Sequence, residues 1–268
     1  MAGHLKADGG CQAGLYSYFI NKKTVLHLKL ILEYDGTQYH GWQLQQNAVT
    51  LQGTLEAVLR RLLNEPVRLR VAGRTDAGVH ALGQVAAFKS VTVTDINRFQ
   101  RSLNALLPQD IVVTQVEEVP DAFNPRRDAR SRTYLYRIWN RPWPSAFWAR
   151  YSWPVPFPLD CEAMDQAAAL LVGDHDCSSF QGADSVTHNP RRTVLRSSVR
   201  RAEDFLVYEI EARSFLRHMV RNIIGTLVDV GRGALSVGDF ARILAARDRT
   251  RAGLNAPPQG LFLVEVKY

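Results

Sequence analysis

The chain has few cysteines, no long apolar run and fewer acids than bases. Cys11, Cys161 and Cys177 are its only cysteines, an odd count with no C-x-x-C spacing. That excludes a disulfide framework and fits a reducing, cytoplasmic setting. His175 and Cys177 stand two apart, but no second ligand pair at zinc spacing joins them, so no metal is expected. No stretch of about 18 apolar residues occurs, so no membrane partner is expected. A phosphate loop of the G-x-x-x-x-G-K-[ST] type is missing, which argues against phosphoryl transfer of that kind. Residues 1–24 lack the apolar core of a signal peptide and read as a flexible N-terminal extension.

What remains is a globular composition. Of 268 residues, 46% are hydrophobic and 22% charged, which rules out a disordered chain and leaves room for two compact halves. The net charge of +7 favours a polyanionic partner if the arginines gather on one surface.

From Val25 the hydrophobic periods sharpen. "VLHLKLILEY" alternates as a half-buried strand, and "TLQGTLEAVLRRLLNE" carries a helical stripe with Thr50 as its N-cap. "VRLRVA" (67–72) and "QVAAFKS" (84–90) read as strands. "DINRFQRSLNALL" (95–107) reads as a helix with Ile96, Phe99, Leu103 and Leu106 inward, and "DIVVTQVEEV" (110–119) as a strand. The order βαββαβ then recurs more loosely. "TYLYRIW" (133–139) is a strand, and a Pro/Trp-rich passage follows. A helix over 160–173 is capped by Asp160, and two strands lead to an amphipathic helix from Phe215. A short helix over 236–246 and a last strand, "GLFLVEVKY", close the chain. The expected fold is α+β: two tandem ferredoxin-like βαββαβ units with mainly antiparallel sheet and a cleft between the halves. The expected division is 1–24 as extension, 25–119 as the first half and 120–268 as the second.

Three segments stand out chemically. "AGRTDAGVHALGQ" (72–84) sets Arg74, Asp76 and His80 among Gly73, Gly78 and Gly83, residues that permit tight turns or close approach of another molecule. A polar hairpin with an internal Arg–Asp pair also explains that composition. In the helix from Phe215, Arg217 and Arg221 lie four apart at the edge of an apolar stripe. Arginines there often snorkel over apolar surface. One that points into a site keeps a partner carboxylate ionised, as a nucleophilic aspartate requires. "DAFNPRRDARSRTYLYR" (121–137) interleaves Arg126, Arg127, Arg130, Arg132 and Arg137 with Phe123, Tyr134 and Tyr136, a pattern that meets phosphates and stacks on bases. "HNPRRTVLRSSVRR" (188–201) adds five arginines.

"GRTDAGVHA", "RTYLYRI", "FLRHMVRNIIG" and "PPQGLFL" together resemble the TruA family of tRNA pseudouridine synthases, in the family's order and over about residues 25–268. The resemblance implies an isomerase that converts uridine to pseudouridine at positions 38, 39 and 40 of tRNA, in the anticodon arm, without metal or organic cofactor. It implies a homodimer. It implies that Asp76 is the nucleophile, that Arg74 helps to flip the base, and that Arg221 pairs with Asp76. Tyr134 would stack on the uracil and is a candidate acceptor of its proton. Leu261 would line the pocket, and Phe123, Asn124, Pro125, Arg126 and Arg127, with the loop 184–188, would contact tRNA. Two other readings compete. One is a non-catalytic RNA-binding or RNA-folding protein, which would bind tRNA without needing Asp76. The other is a nucleosidase, which generally needs a second carboxylate.

Overall fold

The computed structural model describes Met1, residues 25–182, Thr187 and residues 189–268. The readings of 1–24 and of the loop 184–188 therefore lie outside the described residues, apart from Met1 and Thr187.

The first elements follow the sequence periods closely. Strand β1 (Leu26–Tyr34) buries Leu28, Leu30 and Leu32 completely. Each such leucine is worth roughly 1.5–3 kcal/mol relative to exposure. Helix α1 (Leu51–Leu63) starts at Thr50, whose side chain accepts from the Gly53 amide at 3.2 Å. It buries Leu51, Leu55, Leu59 and Leu63. Strand β2 is only Arg70–Val71, and strand β3 runs His80–Ser90. Strand β3 therefore starts four residues before the expected Gln84 and takes in the end of the glycine-rich segment. Helix α2 (Ile96–Leu106) buries Phe99 and Leu103. Leu106, expected inward, is its last residue and 40% exposed, while Leu107 turns into the core in its place. Strand β4 (Ile111–Glu118) completes this part.

Strand β5 (Ser131–Trp139) is followed by the short β6 (Trp153–Pro154). Helix α3 (Cys161–Ala169) is capped by Asp160 but ends before the expected Gly173. Gly173 instead opens a short edge strand, β7 (Gly173–Asp176), which the polar sequence "GDHD" does not announce. Strands β8 (Arg191–Ala202) and β9 (Phe205–Ala212) form a hairpin. Helix α4 (Met219–Gly231) starts four residues later than the periodicity from Phe215 predicts, because His218 takes a left-handed conformation (φ 61°) that no α-helix continues through. Helix α5 (Val237–Ala246) and strand β10 (Leu261–Lys267) close the chain.

The ten described strands join one mixed, mostly antiparallel sheet: eight follow the order β4-β1-β3-β10-β5-β9-β8-β7, while β2 pairs with β3 and β6 with β5. The parallel contacts are β3 with β10 and β5 with the short β6. One hydrophobic cluster packs α1 and α2 on β1, β3 and β4; a second packs α3, α4 and α5 on β5, β8 and β9. Strand β10 is shared, with Leu261 in the second cluster and Leu263 and Val266 in the first. Tyr134 packs against both. The join itself depends on the edge of β3 away from β1. Near its start that edge pairs with β10 (Phe262↔His80), and near its end with β2 (Arg70↔Ala87). Chain segments from both clusters therefore converge beside β2 and β10.

Close backbone approach holds α4 in place. A Cβ on Gly225 would lie 1.7 Å from the Leu254 carbonyl oxygen. Gly225→Ala is expected to cost at least about 1–3 kcal/mol, read as a lower urea midpoint with unchanged slope. An unchanged midpoint would contradict this packing.

Candidate active site

Asp76 sits in the loop between β2 and β3, held through its neighbours. The Thr75 hydroxyl bonds the buried Tyr34 hydroxyl at 2.8 Å, and Gln84 Nε2 donates to Tyr34 at 3.3 Å and to the Gly73 carbonyl at 2.7 Å. Burial pushes the Tyr34 phenol up to about 12, against the lowering effect of its bonds to Thr75 and Gln84, so it stays a neutral strut. The Thr75 carbonyl accepts from the Trp42 amide at 3.0 Å, and the Asp76 carbonyl from the Val79 amide at 3.2 Å. Gly78 makes the return at φ 75°, a conformation costly for any residue with a Cβ. The backbone around Asp76 is thus fixed on both sides, while its side chain stays 33% exposed.

Two side chains of the α4 start, Arg221 and His218, meet that carboxylate. Arg221 Nη1 lies 3.4 Å and His218 Nε2 3.5 Å from Asp76 Oδ2, so neither contact uses Oδ1. Arg221 comes from the first turn of α4, and its Nε donates to the Ala256 carbonyl at 2.6 Å, which fixes the guanidinium plane. The left-handed turn at His218 sets both side chains toward Asp76. Non-glycine residues at positive φ gather at functional sites.

Asp76, Arg74, Tyr134, Arg221, Leu261, Asn124 and Arg126 all line one cavity of about 850 Å³. A second recess of about 530 Å³, bordered by His40, Trp42, Gln43 and Gln45, shares Arg74, Asp76 and Arg221 with it. Arg74 is exposed. The Tyr134 hydroxyl approaches Gly73, with 3.9 Å to where a Cβ would sit. Its phenol is pushed far up by burial first, then by the charges of Tyr34 and Asp76, so it is protonated at neutral pH.

The basic segment divides. Asn124 Oδ1 accepts from the Arg126 and Arg127 amides at 3.1 and 3.0 Å, which turns both exposed arginines outward. Phe123 packs on His27 and Tyr268, and the Pro125 carbonyl accepts from the Tyr268 hydroxyl at 2.8 Å, so these two support the turn from beneath. Arg132, read from sequence as part of a phosphate-facing surface, is only 8% exposed. The second basic run lies on β8, where Arg191 pairs with Asp174 and Arg196 with Glu209. Those arginines serve cross-strand pairing. His80 leaves the charged trio as well. It is 1% exposed and stacked on Phe262, and burial lowers its pKa. Its Nδ1 accepts from the Gly36 amide at 3.0 Å, though Asp35 Oδ1 also lies 3.1 Å away. His218 and the recess residues 40–45 were not legible as site residues. The signal for His218 was its place three residues before Arg221.

Comparison with known proteins gives the same direction. The family profile described as tRNA pseudouridine synthase matches residues 30–126 and 167–268. The chain is 44% identical over 242 residues to tRNA pseudouridine synthase A of Thermoanaerobacter sp. (strain X514), covering 90% of this chain and 99% of that protein. It is 47% identical over 242 residues to the protein of the same name from Myxococcus xanthus, covering 90% and 91%. Likeness this high over nearly the whole described sheet, on both sides of the cavity, leaves one conclusion: the chain belongs to the tRNA pseudouridine synthase family.

Proposed function

We propose that the chain isomerises uridine to pseudouridine at positions 38, 39 and 40 in the anticodon stem-loop of tRNA, with Asp76 as nucleophile. The observation that carries this is an accessible carboxylate, held by a planar guanidinium 3.4 Å away, in a cavity that also contains Arg74 and Tyr134. The N1–C1′ bond breaks, the base rotates, and a C5–C1′ bond forms. One proton leaves C5 and one is taken up at N1, so the change is redox-neutral and needs no co-reactant. One carboxylate suffices because the same base is reattached and no water is activated, unlike glycoside hydrolysis. Attack at C1′, addition at C6 and assisted elimination at the sugar all use Asp76 in the same place.

To reach Asp76 the target must leave its stack, at about a few kcal/mol. Arg74, planar and exposed, offsets part of that cost by filling the gap. The Tyr134 ring stacks on the extruded base, an interaction worth about 1–3 kcal/mol, and Leu261 closes the apolar side. Asn124, Arg126 and Arg127 meet the phosphates, with Phe123 and Pro125 as their platform. The enzyme works in the cytoplasm, as a homodimer, and the exposed aromatics Trp143 (79%) and Phe147 (86%) are the apolar surface a second copy would cover.

A neutral phenol can take the C5 proton only by passing its own proton on in the same step. Tyr134→Phe is therefore expected to leave tRNA affinity within about threefold while slowing turnover by about 100-fold, the usual scale of a lost proton-transfer group. Turnover at the wild-type rate would limit Tyr134 to stacking. Position is tested on unmodified tRNA transcripts by mapping pseudouridine chemically after incubation. Modification confined to 38, 39 and 40 supports the assignment, and modification only outside the anticodon arm refutes it.

A further inference from the structure

Arg132 is a buried cation. Among the described residues no ion pair involves it, and it is only 8% exposed. Its donors go instead to four backbone carbonyls. Nη2 donates to Ala72 at 2.9 Å and to Arg126 at 2.8 Å. Nη1 donates to Arg213 at 2.8 Å and, more weakly, to Ala129 at 3.5 Å. Arg132 also lines the 850 Å³ cavity.

The three short bonds reach three different parts of the site. Ala72 opens the loop that carries Asp76. Arg126 belongs to the exposed basic turn. Arg213 follows β9 and leads into the His218 turn and Arg221. Arg132 itself is on β5, paired with Val266 of β10 and Ala212 of β9, so its own backbone is fixed by the sheet. A guanidinium presents five donors in a rigid fork, whereas an ammonium is a point charge on a flexible stem. Only the fork can hold three separate segments from one atom group. Burial draws its pKa down from the usual arginine value, yet guanidinium remains charged in proteins.

We propose that Arg132 is a positioning residue that ties the Asp76 loop, the basic turn at 124–127 and the approach to α4 to one point, so that RNA held at the turn is brought into register with Asp76. It rests on the reading of Asp76 as the reacting group. Displacement of reacting groups by about 1 Å can cost 100-fold in rate, so its loss falls on the chemical step.

The test uses Arg132→Lys, which keeps the charge, and Arg132→Gln, which keeps two donors. Each is measured for tRNA dissociation constant, single-turnover rate and amide hydrogen exchange by segment. Expected for Arg132→Lys are a dissociation constant within about threefold of wild type and a rate lower by about 30-fold or more. Exchange should quicken in 70–79, 124–129 and 213–218 only. Arg132→Gln should show the same pattern, more strongly. A wild-type rate in either folded variant, a loss confined to affinity, or exchange rising evenly through the sheet overturns the proposal. Unfolding of both variants also overturns it, by making Arg132 a residue of the fold. Asp76→Asn is run beside them: activity in that variant removes the underlying reading, whatever the Arg132 variants do.

Discussion

Replacing Asp76 by asparagine is expected to lower pseudouridine formation by about four orders of magnitude or more, the scale seen when a nucleophile is removed from a catalytic unit. The fold should survive. Asp76 contributes to the loop through its carbonyl, which accepts from the Val79 amide, and asparagine keeps that bond. The side chain itself is 33% exposed, and Arg221 keeps its bond to the Ala256 carbonyl without it. Binding of tRNA should persist or tighten slightly, because one negative charge is removed from a surface that meets a polyanion. The measurement pairs thermal unfolding and tRNA affinity with product formation. A folded Asp76→Asn protein that turns over substrate would return Asp76 to the polar hairpin loop that composition alone allows.

The second large effect concerns Arg221. Its guanidinium spans two acceptors, the Ala256 carbonyl through Nε at 2.6 Å and Asp76 Oδ2 through Nη1 at 3.4 Å. A lysine cannot reproduce this, because Nε and Nη1 meet the two acceptors from separate points of a rigid fork, whereas an ammonium offers its donors from one point on a flexible stem. Charge-assisted hydrogen bonds contribute about 1.5–3 kcal/mol, so Arg221→Lys is expected to lower kcat by about 10- to 100-fold at nearly constant tRNA affinity. Unchanged kcat would make Arg221 a stripe-edge residue that merely covers the start of α4.

Much of the fold was legible because local rules and tertiary packing agree there. Thr50 and Asp160 cap the helices they were expected to cap, and the leucines of β1 and α1 face the core that their spacing indicates. Failures came where a backbone departs from its local pattern. The apolar spacing of 215–231 suits one helix, yet His218 turns left-handed and shifts the start to Met219. Strand β7 has no apolar alternation because it is a short edge strand. Composition also could not separate arginines by task. Arg126 and Arg132 belong to the same basic run, but one is exposed at a turn and the other buried beneath it. The parity of the strand held the clue, since Arg132, Tyr134 and Tyr136 share one face of β5. The pairing of Asp76 with Arg221 spans 145 positions and no local period encodes it.

The most direct test of C5–C1′ exchange at Asp76 is tritium release from tRNA transcribed with uracil labelled at C5. Wild-type protein should release one tritium for each pseudouridine formed in the anticodon arm, and folded Asp76→Asn should release none while still binding tRNA. Binding by wild type with no release, or equal release by both proteins, would contradict it.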